Sequence, residues 1–181
     1  MTGTPGTGKT TFSKALSQRL NYRYVNIEDI IVNENLHKGY DEARDSYILD
    51  IDKAYNRMLE ISEPNTIYEG LSIAYLADEE WLDKVIILRC NPYILEKRLT
   101  EKGFKPEKIR ENIASEILDI ISSEVYSRFN IEKTIQIDNS GDLERGVEKA
   151  VRFLMGEDVE SDYVDWLGLI AEKNDIKRFL D

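Results

Sequence analysis

Residues 3–10 of the chain read GTPGTGKT and match the pattern G-x-x-x-x-G-K-[ST] at every position. Glycines in such a stretch let the backbone turn tightly, so that successive N–H groups point inward at an anion. The pattern assigns Lys9 to the β- and γ-phosphates of a nucleotide and the Thr10 hydroxyl to Mg²⁺. An apolar-periodic stretch containing Phe12 and Leu16 follows directly and predicts a helix. The positive pole of that helix would add to phosphate binding.

A phosphate loop normally follows a buried strand that aims it, but only Met1 and Thr2 precede Gly3. The sequence therefore predicts a parallel sheet without its innermost strand, with unpaired backbone groups and an apolar void in the middle. Three explanations are open: a start codon assigned too late, a shortened chain, or a fold that survives with a gap. We favour the first.

Size and charge narrow the classes of function. A chain of 181 residues supports one domain with a sizeable core. Asp and Glu outnumber Lys and Arg by 35 to 24. This excess argues against strong direct nucleic-acid binding, which depends on cationic neutralisation of phosphates. Cys90 is the single cysteine, so we expect a buried structural thiol in the reducing cytoplasm. No segment has the length of a membrane span, and we expect no membrane partner.

Strand and helix patterns alternate along the chain and predict a doubly wound α/β fold of the P-loop NTPase type with a mostly parallel sheet. Strands are predicted at 22–27, 66–68, 84–89 and 134–138. Helices are predicted at 10–20, 28–36, 51–61, 93–101, 106–125 and 142–155, with 37–41 as a break after the second of them.

A small domain that opens with a phosphate loop suggests a nucleotide or small-molecule kinase, so we assign residues 1–155 to a P-loop kinase domain. Such kinases need an acceptor-binding insert and a basic lid that closes over the phosphates. The polar segment at about 26–49, which carries Arg44, is the candidate insert. The segment at about 101–111 is the candidate lid, because it supplies a concentration of Lys and Arg. A charged, solvated loop is the alternative for that segment.

Glu69 and the lid cations, Lys102 among them, are the candidate catalytic partners of Lys9. Glu69 follows the predicted strand 66–68, at the edge where ligands gather in open α/β sheets. We expect it to hold Mg²⁺ through water, opposite Thr10, with an ordinary turn acid as the alternative. Lys102 would contribute positive charge to the transferred phosphoryl group.

Residues 156–181 form a tail, which we interpret as an acidic linker followed by a C-terminal helix. Ser161 and Asp162 are candidate caps of that helix. We favour a helix that packs on the domain's own surface. The alternative is a docking element for a partner, with Trp166 as its anchor.

Several segments together resemble a known family: TGTPGTGKTT (2–11), YVNIEDI (24–30), GYDEARDSYILDID (39–52), IYEG (67–70) and VIILRCNPYILEKRLTEKGFKPEKIRENIASEILDI (85–120). They are similar to the adenylate kinase isoenzyme-six family, small dual kinase–ATPases linked to maturation of the small ribosomal subunit. The phosphate loop alone is generic, and the succession LRCNP, RL, KGF and EN-x-x-EI is more specific.

The resemblance implies transfer of the γ-phosphoryl group of ATP to a nucleoside monophosphate, mainly AMP, together with slow ATP hydrolysis. It also implies a small-subunit ribosomal protein as partner and a role in ribosomal RNA processing. It places ATP on Gly6, Gly8, Lys9, Thr10, Thr11 and Lys102.

The chain departs from the family pattern at two positions. Leu71 stands where members usually have a histidine, which puts the hydrolytic activity in doubt. Val32 lies where members commonly have a basic residue for the acceptor phosphate, and Arg44 or Arg89 could replace it. For Arg89, an ion pair with a lid carboxylate is the alternative. Two other functions stay open: a nucleotide-gated ribosome assembly factor with little kinase activity, and a small-metabolite kinase.

Overall fold

The computed structural model describes residues 1–42 and 46–180. Its strands are β1 (Arg23–Asn26), β2 (His37–Asp41), β3 (Ser46–Leu49), β4 (Thr66–Glu69), β5 (Val85–Arg89) and β6 (Thr134–Asp138). Its α-helices are α1 (Lys9–Leu20), α2 (Ile27–Asn33), α3 (Ile51–Glu60), α4 (Ile73–Leu76), α5 (Pro92–Glu101), α6 (Pro106–Ile117), α7 (Ile120–Arg128), α8 (Leu143–Leu154), α9 (Trp166–Glu172) and α10 (Ile176–Leu180). The doubly wound α/β fold is confirmed.

The sheet consists of two parallel pairs of strands joined through the first two residues. Strand β1 pairs with β4, and β5 pairs with β6. Between them, the Met1 amino group donates to the Tyr68 carbonyl at 2.6 Å, and the Gly70 N–H donates to the Met1 carbonyl at 3.2 Å. Thr2 exchanges two 2.9 Å hydrogen bonds with Ile86 and Leu88 on the other side.

The predicted gap in the middle of the sheet is therefore only partly present. Met1 and Thr2 occupy the end of the space nearest the phosphate loop and pair with both neighbours. Beside them lies a cavity of about 70 Å³, whose apolar walls include Leu16, Ile67 and Ile86. Met1 and Thr2 thus connect the halves of the sheet at the edge that carries the loop.

Apolar side chains cover both faces of the sheet, as expected for buried parallel strands. Along β5, Ile86 and Leu88 face the cluster around Phe12 of α1, whereas Val85 and Ile87 face the cluster on the opposite side. A third cluster joins α5 and α6 to the helices of the tail. No helix in the described ranges combines the length and apolar content that a membrane crossing needs.

The predicted break at 37–41 is wrong, because these residues form a strand. Strand β2 pairs antiparallel with β3 inside the predicted insert. Cross-strand ring contacts stabilise this hairpin, with the His37 and Tyr47 ring centroids 4.3 Å apart. The segment is polar, so its sequence lacks the apolar pattern from which a strand is usually predicted. Arg44 of the insert lies outside the described residues.

The predicted single helix over 106–125 is also wrong, because it is broken between α6 and α7. Asp119 adopts a left-handed backbone conformation with φ 55°, which asparagine and aspartate tolerate better than most residues. This turn brings its carboxylate onto Arg89. The break is therefore associated with an ion pair distant in sequence.

The tail differs from the predicted single helix as well. It forms two short helices, α9 and α10, and the cap of α9 is Asp165, whose carboxylate accepts from the Gly168 N–H at 2.7 Å. Ser161 and Asp162 instead bond to strand β6. Trp166 is 9% exposed, so it packs inside the domain and does not serve as an exposed anchor for a partner.

We predict that Cys90 is chemically inert while the chain is folded. The side chain is fully buried, and burial raises the pKa of the thiol to about 12. At pH 8 only about one molecule in ten thousand would then carry the reactive thiolate. A colorimetric thiol reagent should release about one equivalent in denaturant and very little without it, and complete reaction of the native chain within minutes would contradict this prediction.

Candidate nucleotide site

The phosphate loop lies at the carboxyl edge of the sheet, between β5 and the start of α1. Gly6 and Gly8 have φ of 92° and 98°, values that side chains rarely allow. A Cβ atom on Gly8 would lie 2.5 Å from the Asn139 amide nitrogen. A Cβ atom on Gly6 would lie 2.7 Å from Leu95. Glycine is therefore required at both positions by conformation and by space.

Two side chains from elsewhere in the chain fix the loop at Thr7. The Asn139 amide donates to the Thr7 carbonyl at 2.8 Å, and the Arg98 guanidinium donates to the same oxygen at 3.3 Å. Arg98 also donates to the Asn139 carbonyl at 2.9 Å. Sequence reasoning missed both residues, although Asn139 directly follows strand β6, at the edge where ligands bind.

The Lys9 ammonium lies inside the loop and is hydrogen-bonded to the loop's own backbone. It donates to the Gly3 carbonyl at 2.8 Å and to the Thr4 carbonyl at 3.2 Å. Burial lowers the pKa of Lys9, and Glu69 is the largest of the carboxylates that oppose this effect. A desolvated cation held by neutral carbonyls is poorly compensated, so a phosphate at this position would relieve its burial.

Glu69 ends β4 and brings its carboxylate next to the start of α1. It accepts hydrogen bonds from the hydroxyls of Thr10 at 3.3 Å and Tyr24 at 2.9 Å, and from the Asn26 amide at 3.1 Å. Burial and Glu69 raise the pKa of Tyr24 to about 12, which keeps this phenol a donor. Sequence reasoning missed Tyr24 and Asn26 as partners of Glu69.

The oxygens of Thr10 and Glu69 suit a magnesium ion. Mg²⁺ prefers hard oxygen ligands and usually takes only one or two from the protein, with phosphates and water supplying the rest. The Thr10 hydroxyl and one Glu69 oxygen are neighbours, 3.3 Å apart, at the mouth of the phosphate loop. The donor set therefore fits Mg²⁺ bound to the phosphates of a nucleotide.

A second acidic group lies at the adjoining strand end, on the side of the insert. Glu28 accepts from the Ser72 N–H at 2.8 Å and from the Ser72 hydroxyl at 3.0 Å. Its carboxylate passes so close to Gly70 that a Cβ atom there would lie 2.8 Å from it. Val32 lies on α2 and is 38% exposed. The predicted insert therefore presents an apolar side chain at the position where family members commonly have a basic residue.

Arg89 is a structural residue and does not reach the phosphate site. Its side chain is 3% exposed, and its guanidinium donates to Glu116 at 2.8 Å and to Gln136 at 2.7 Å. It also pairs with Asp119. The proposed phosphate contact is therefore wrong, and the ion pair that replaces it involves α6 and the turn after it, not the lid.

Lys102 and Thr11 lie at the outer side of the site. Lys102 follows the last turn of α5, is exposed, and is close enough to lower the pKa of Lys9 by charge repulsion. Gly103, with φ 75°, turns the chain toward α6, so the predicted lid consists of a short exposed turn and the beginning of α6. Thr11 is exposed in the first turn of α1.

Comparison of the sequence with known proteins shows which family the chain belongs to. A family model described as an AAA domain matches residues 1–119. A protein of Methanocaldococcus jannaschii named "Putative adenylate kinase" is 35% identical over 168 residues, which cover 92% of this chain and 90% of that protein. A protein of the same name from Methanosarcina barkeri is 34% identical, with 94% of this chain and 97% of that protein covered. The chain belongs to this adenylate kinase family.

A third relative extends the similarity through the tail, because a Saccharolobus islandicus protein of the same name is 32% identical over the whole of this chain and 91% of its own length. Among solved structures, a shikimate kinase from Bacteroides thetaiotaomicron superposes with a TM-score of 0.58 at 20% identity, covering 86% of this chain and 95% of its own. That likeness shows the fold alone. With its family relatives, the chain is a phosphotransferase of the nucleotide kinase type.

We predict that the substitution Lys9→Met separates nucleotide binding from stability. Methionine has a similar length and removes a charge whose burial is unfavourable, so the melting temperature should stay within about 5 °C of the parent chain or rise. Catalytic efficiency should fall by about 100-fold or more, because the phosphates lose their central cation. Thermal unfolding measures stability, a coupled assay for ADP measures catalytic efficiency, and calorimetric titration measures ATP binding, which should also weaken; parent-like ATP affinity in the variant would contradict the assignment of Lys9.

Proposed function

We propose that the chain transfers the γ-phosphoryl group of ATP to AMP, giving two molecules of ADP. The observation that carries this proposal is the buried Lys9 ammonium beside the Thr10–Glu69 oxygen pair, at the carboxyl edge of a parallel sheet. The names of the relatives support AMP as the acceptor. The position of α2 and the β2–β3 hairpin, which follow directly on β1, supports their use as the acceptor-binding insert.

Each part of the site has a distinct role in this reaction. The loop amides around Gly6 and Gly8 hold the β- and γ-phosphates, and Thr11 reaches the phosphate nearer the ribose. Lys9 and Lys102 stabilise negative charge on the phosphoryl group during transfer. Thr10 and Glu69 would hold Mg²⁺, which would supply positive charge to the phosphates. Tyr24 and Asn26 keep the Glu69 carboxylate directed toward Thr10.

The proposal requires positioning more than proton transfer. Phosphoryl transfer depends mainly on alignment of donor and acceptor and on electrostatic stabilisation. The site provides both through backbone amides, a buried ammonium and an oriented carboxylate. Leu71, which replaces the family's histidine, contributes its carbonyl as an acceptor for the Thr2 hydroxyl at 3.5 Å and packs against an apolar cluster. Its side chain has no means of activating water, so any ATP hydrolysis should be slow.

We predict turnover with ATP and AMP, and a magnesium-dependent defect in the variant Glu69→Gln. A coupled assay for ADP, run with each nucleoside monophosphate in turn, should give the highest kcat/KM with AMP. Glu69→Gln keeps the size and the hydrogen-bonding ability of the side chain but weakens the support for the metal. It should lower kcat/KM by about 10- to 100-fold, with a larger effect at low Mg²⁺.

Glu60→Gln is the matched control, because Glu60 is an exposed glutamate at the end of α3 whose partner Arg57 lies away from the loop. It should behave as the parent chain does. Absence of turnover with every monophosphate, in a chain that binds ATP with Mg²⁺, would contradict the kinase assignment.

A nucleotide-gated assembly factor for the small ribosomal subunit is the second candidate function. The net charge of −11 favours a basic protein partner, and Leu71 and Val32 favour this function because both weaken catalysis. A small-subunit ribosomal protein has the required basic character, and binding to it would connect the chain with ribosomal RNA processing.

We predict that the chain captures a purified small-subunit ribosomal protein in a manner that depends on ATP. Immobilised chain should retain such a protein from an equimolar mixture differently with ATP and without nucleotide, and the Lys9→Met variant should not respond to ATP. Capture should weaken as salt rises, because charge attraction is screened. Equal retention in both nucleotide states would count against this second function while leaving the kinase proposal intact.

A further inference from the structure

The tail is attached to the sheet before its helices begin. The Asp162 N–H donates to the Gln136 carbonyl at 3.0 Å, and the Gln136 N–H donates to the Ser161 hydroxyl at 2.8 Å. The Asp162 carboxylate accepts from the Asp138 N–H at 2.9 Å and from Lys149 at 2.5 Å. The acidic linker thus satisfies backbone groups of strand β6, and it fixes the point from which α9 starts.

The tail helices continue the apolar core under the phosphate loop. Ile170 and Phe179 are buried in one cluster with Leu95 and Leu99 of α5. The same two leucines are the side chains nearest to Gly6, where a Cβ atom would lie 2.7 and 2.8 Å from them. Packing therefore connects the tail to the loop through a single layer of side chains.

A second, polar connection runs through Glu116 of α6, which is 2% exposed. One carboxylate oxygen accepts from the Thr4 hydroxyl at 2.6 Å. The other accepts from the Trp166 indole N–H at 3.2 Å, from Arg89 at 2.8 Å and from the Cys90 N–H at 3.0 Å. A single buried carboxylate thus contacts the phosphate loop on one side and the tail on the other.

We propose that Trp166 is a positioning residue for the phosphate loop, acting on Thr4 through the Glu116 carboxylate. The indole N–H is one of the donors that hold this carboxylate in the orientation that accepts from Thr4. Thr4 in turn carries one of the two carbonyls that bind the Lys9 ammonium. The proposal deepens the proposed function, on which it rests, because it adds a distant residue to the same nucleotide site.

The physical basis is the cost of leaving a buried charge partly unsatisfied. Without the indole donor, the Glu116 carboxylate would lose one of its charge-assisted hydrogen bonds in a site that excludes water. The oxygen that accepts from Trp166 would keep Arg89 and the Cys90 N–H as its donors, so the carboxylate would settle toward these two groups and the Thr4 hydrogen bond to the other oxygen would be held less firmly. The loop would then sample more conformations in the free protein and would bind phosphate less tightly.

The decisive variant is Trp166→Phe, which keeps an aromatic ring in the core and removes the N–H donor. The matched control is Tyr93→Phe, which removes the hydroxyl that donates to Asp175 at 2.6 Å between α5 and the tail. Both variants delete one donor at the junction of the tail with the domain, but Tyr93 is hydrogen-bonded to Asp175, whereas Trp166 is hydrogen-bonded to Glu116. Any general loosening of the tail should appear in both.

Amide hydrogen exchange in the full-length chain without nucleotide is the first measurement. We expect exchange in a peptide covering residues 3–9 to become about threefold or more faster in Trp166→Phe and to stay unchanged in Tyr93→Phe. Calorimetry should show a dissociation constant for ATP with Mg²⁺ that is about threefold to tenfold weaker in Trp166→Phe alone. Because the exchange measurement needs no nucleotide, a failure of the AMP kinase proposal leaves it interpretable.

A double-mutant cycle with Thr4→Val separates action through Glu116 from an independent effect. Removing the Thr4 hydroxyl disconnects the loop from the carboxylate, so adding Trp166→Phe should then have little further effect on loop exchange. Full additivity of the two substitutions would overturn the proposal. Equal effects of Trp166→Phe and Tyr93→Phe on the loop, or no effect of either, would also overturn it.

Discussion

The hydrogen bonds of Met1 and Thr2 with strands on both sides hold the two halves of the sheet together and position the phosphate loop. Strands β1 and β4 form one parallel pair and β5 and β6 form another, and these two residues join them into one sheet. Because they lie in the plane of the sheet, the chain enters Gly3 at the carboxyl edge. That entry places Thr10 opposite Glu69 and places the first turn of α1 where an anion can meet its free N–H groups.

The buried charges of this chain have two kinds of partner, and the difference supports the proposed nucleotide site. Arg89 and Glu116 neutralise each other and share further partners, as a permanent internal ion pair requires. Lys9 is partly buried and has only carbonyl oxygens as hydrogen-bond acceptors among its described contacts. A cation left in this state is expected where a mobile anion completes the arrangement, and structural pairs of the first kind need no ligand.

The phosphate loop at residues 3–10 and the alternation of strands and helices could be predicted from the sequence, because local spacing and apolar periodicity encode them directly. The β2–β3 hairpin could not be predicted, because it is stabilised by ring contacts such as that of His37 with Tyr47. Its sequence shows no alternation of apolar residues that would indicate two strands. The break at Asp119 and the role of Arg89 escaped prediction for a related reason. Each depends on a partner far away in sequence, and local patterns carry no information about such pairing.

The close approach of Gly6 to Leu95 and Leu99 means that the floor of the phosphate loop is part of the hydrophobic core. In the proposed nucleotide site, the volume of these two aliphatic side chains would set how deeply a phosphate lies. Larger or differently branched residues there would lift the loop, and smaller ones would let it sink, without any contact with substrate. Core packing at positions 95 and 99 thus offers a way to adjust the catalytic rate of this enzyme from below the loop, while position 6 stays glycine.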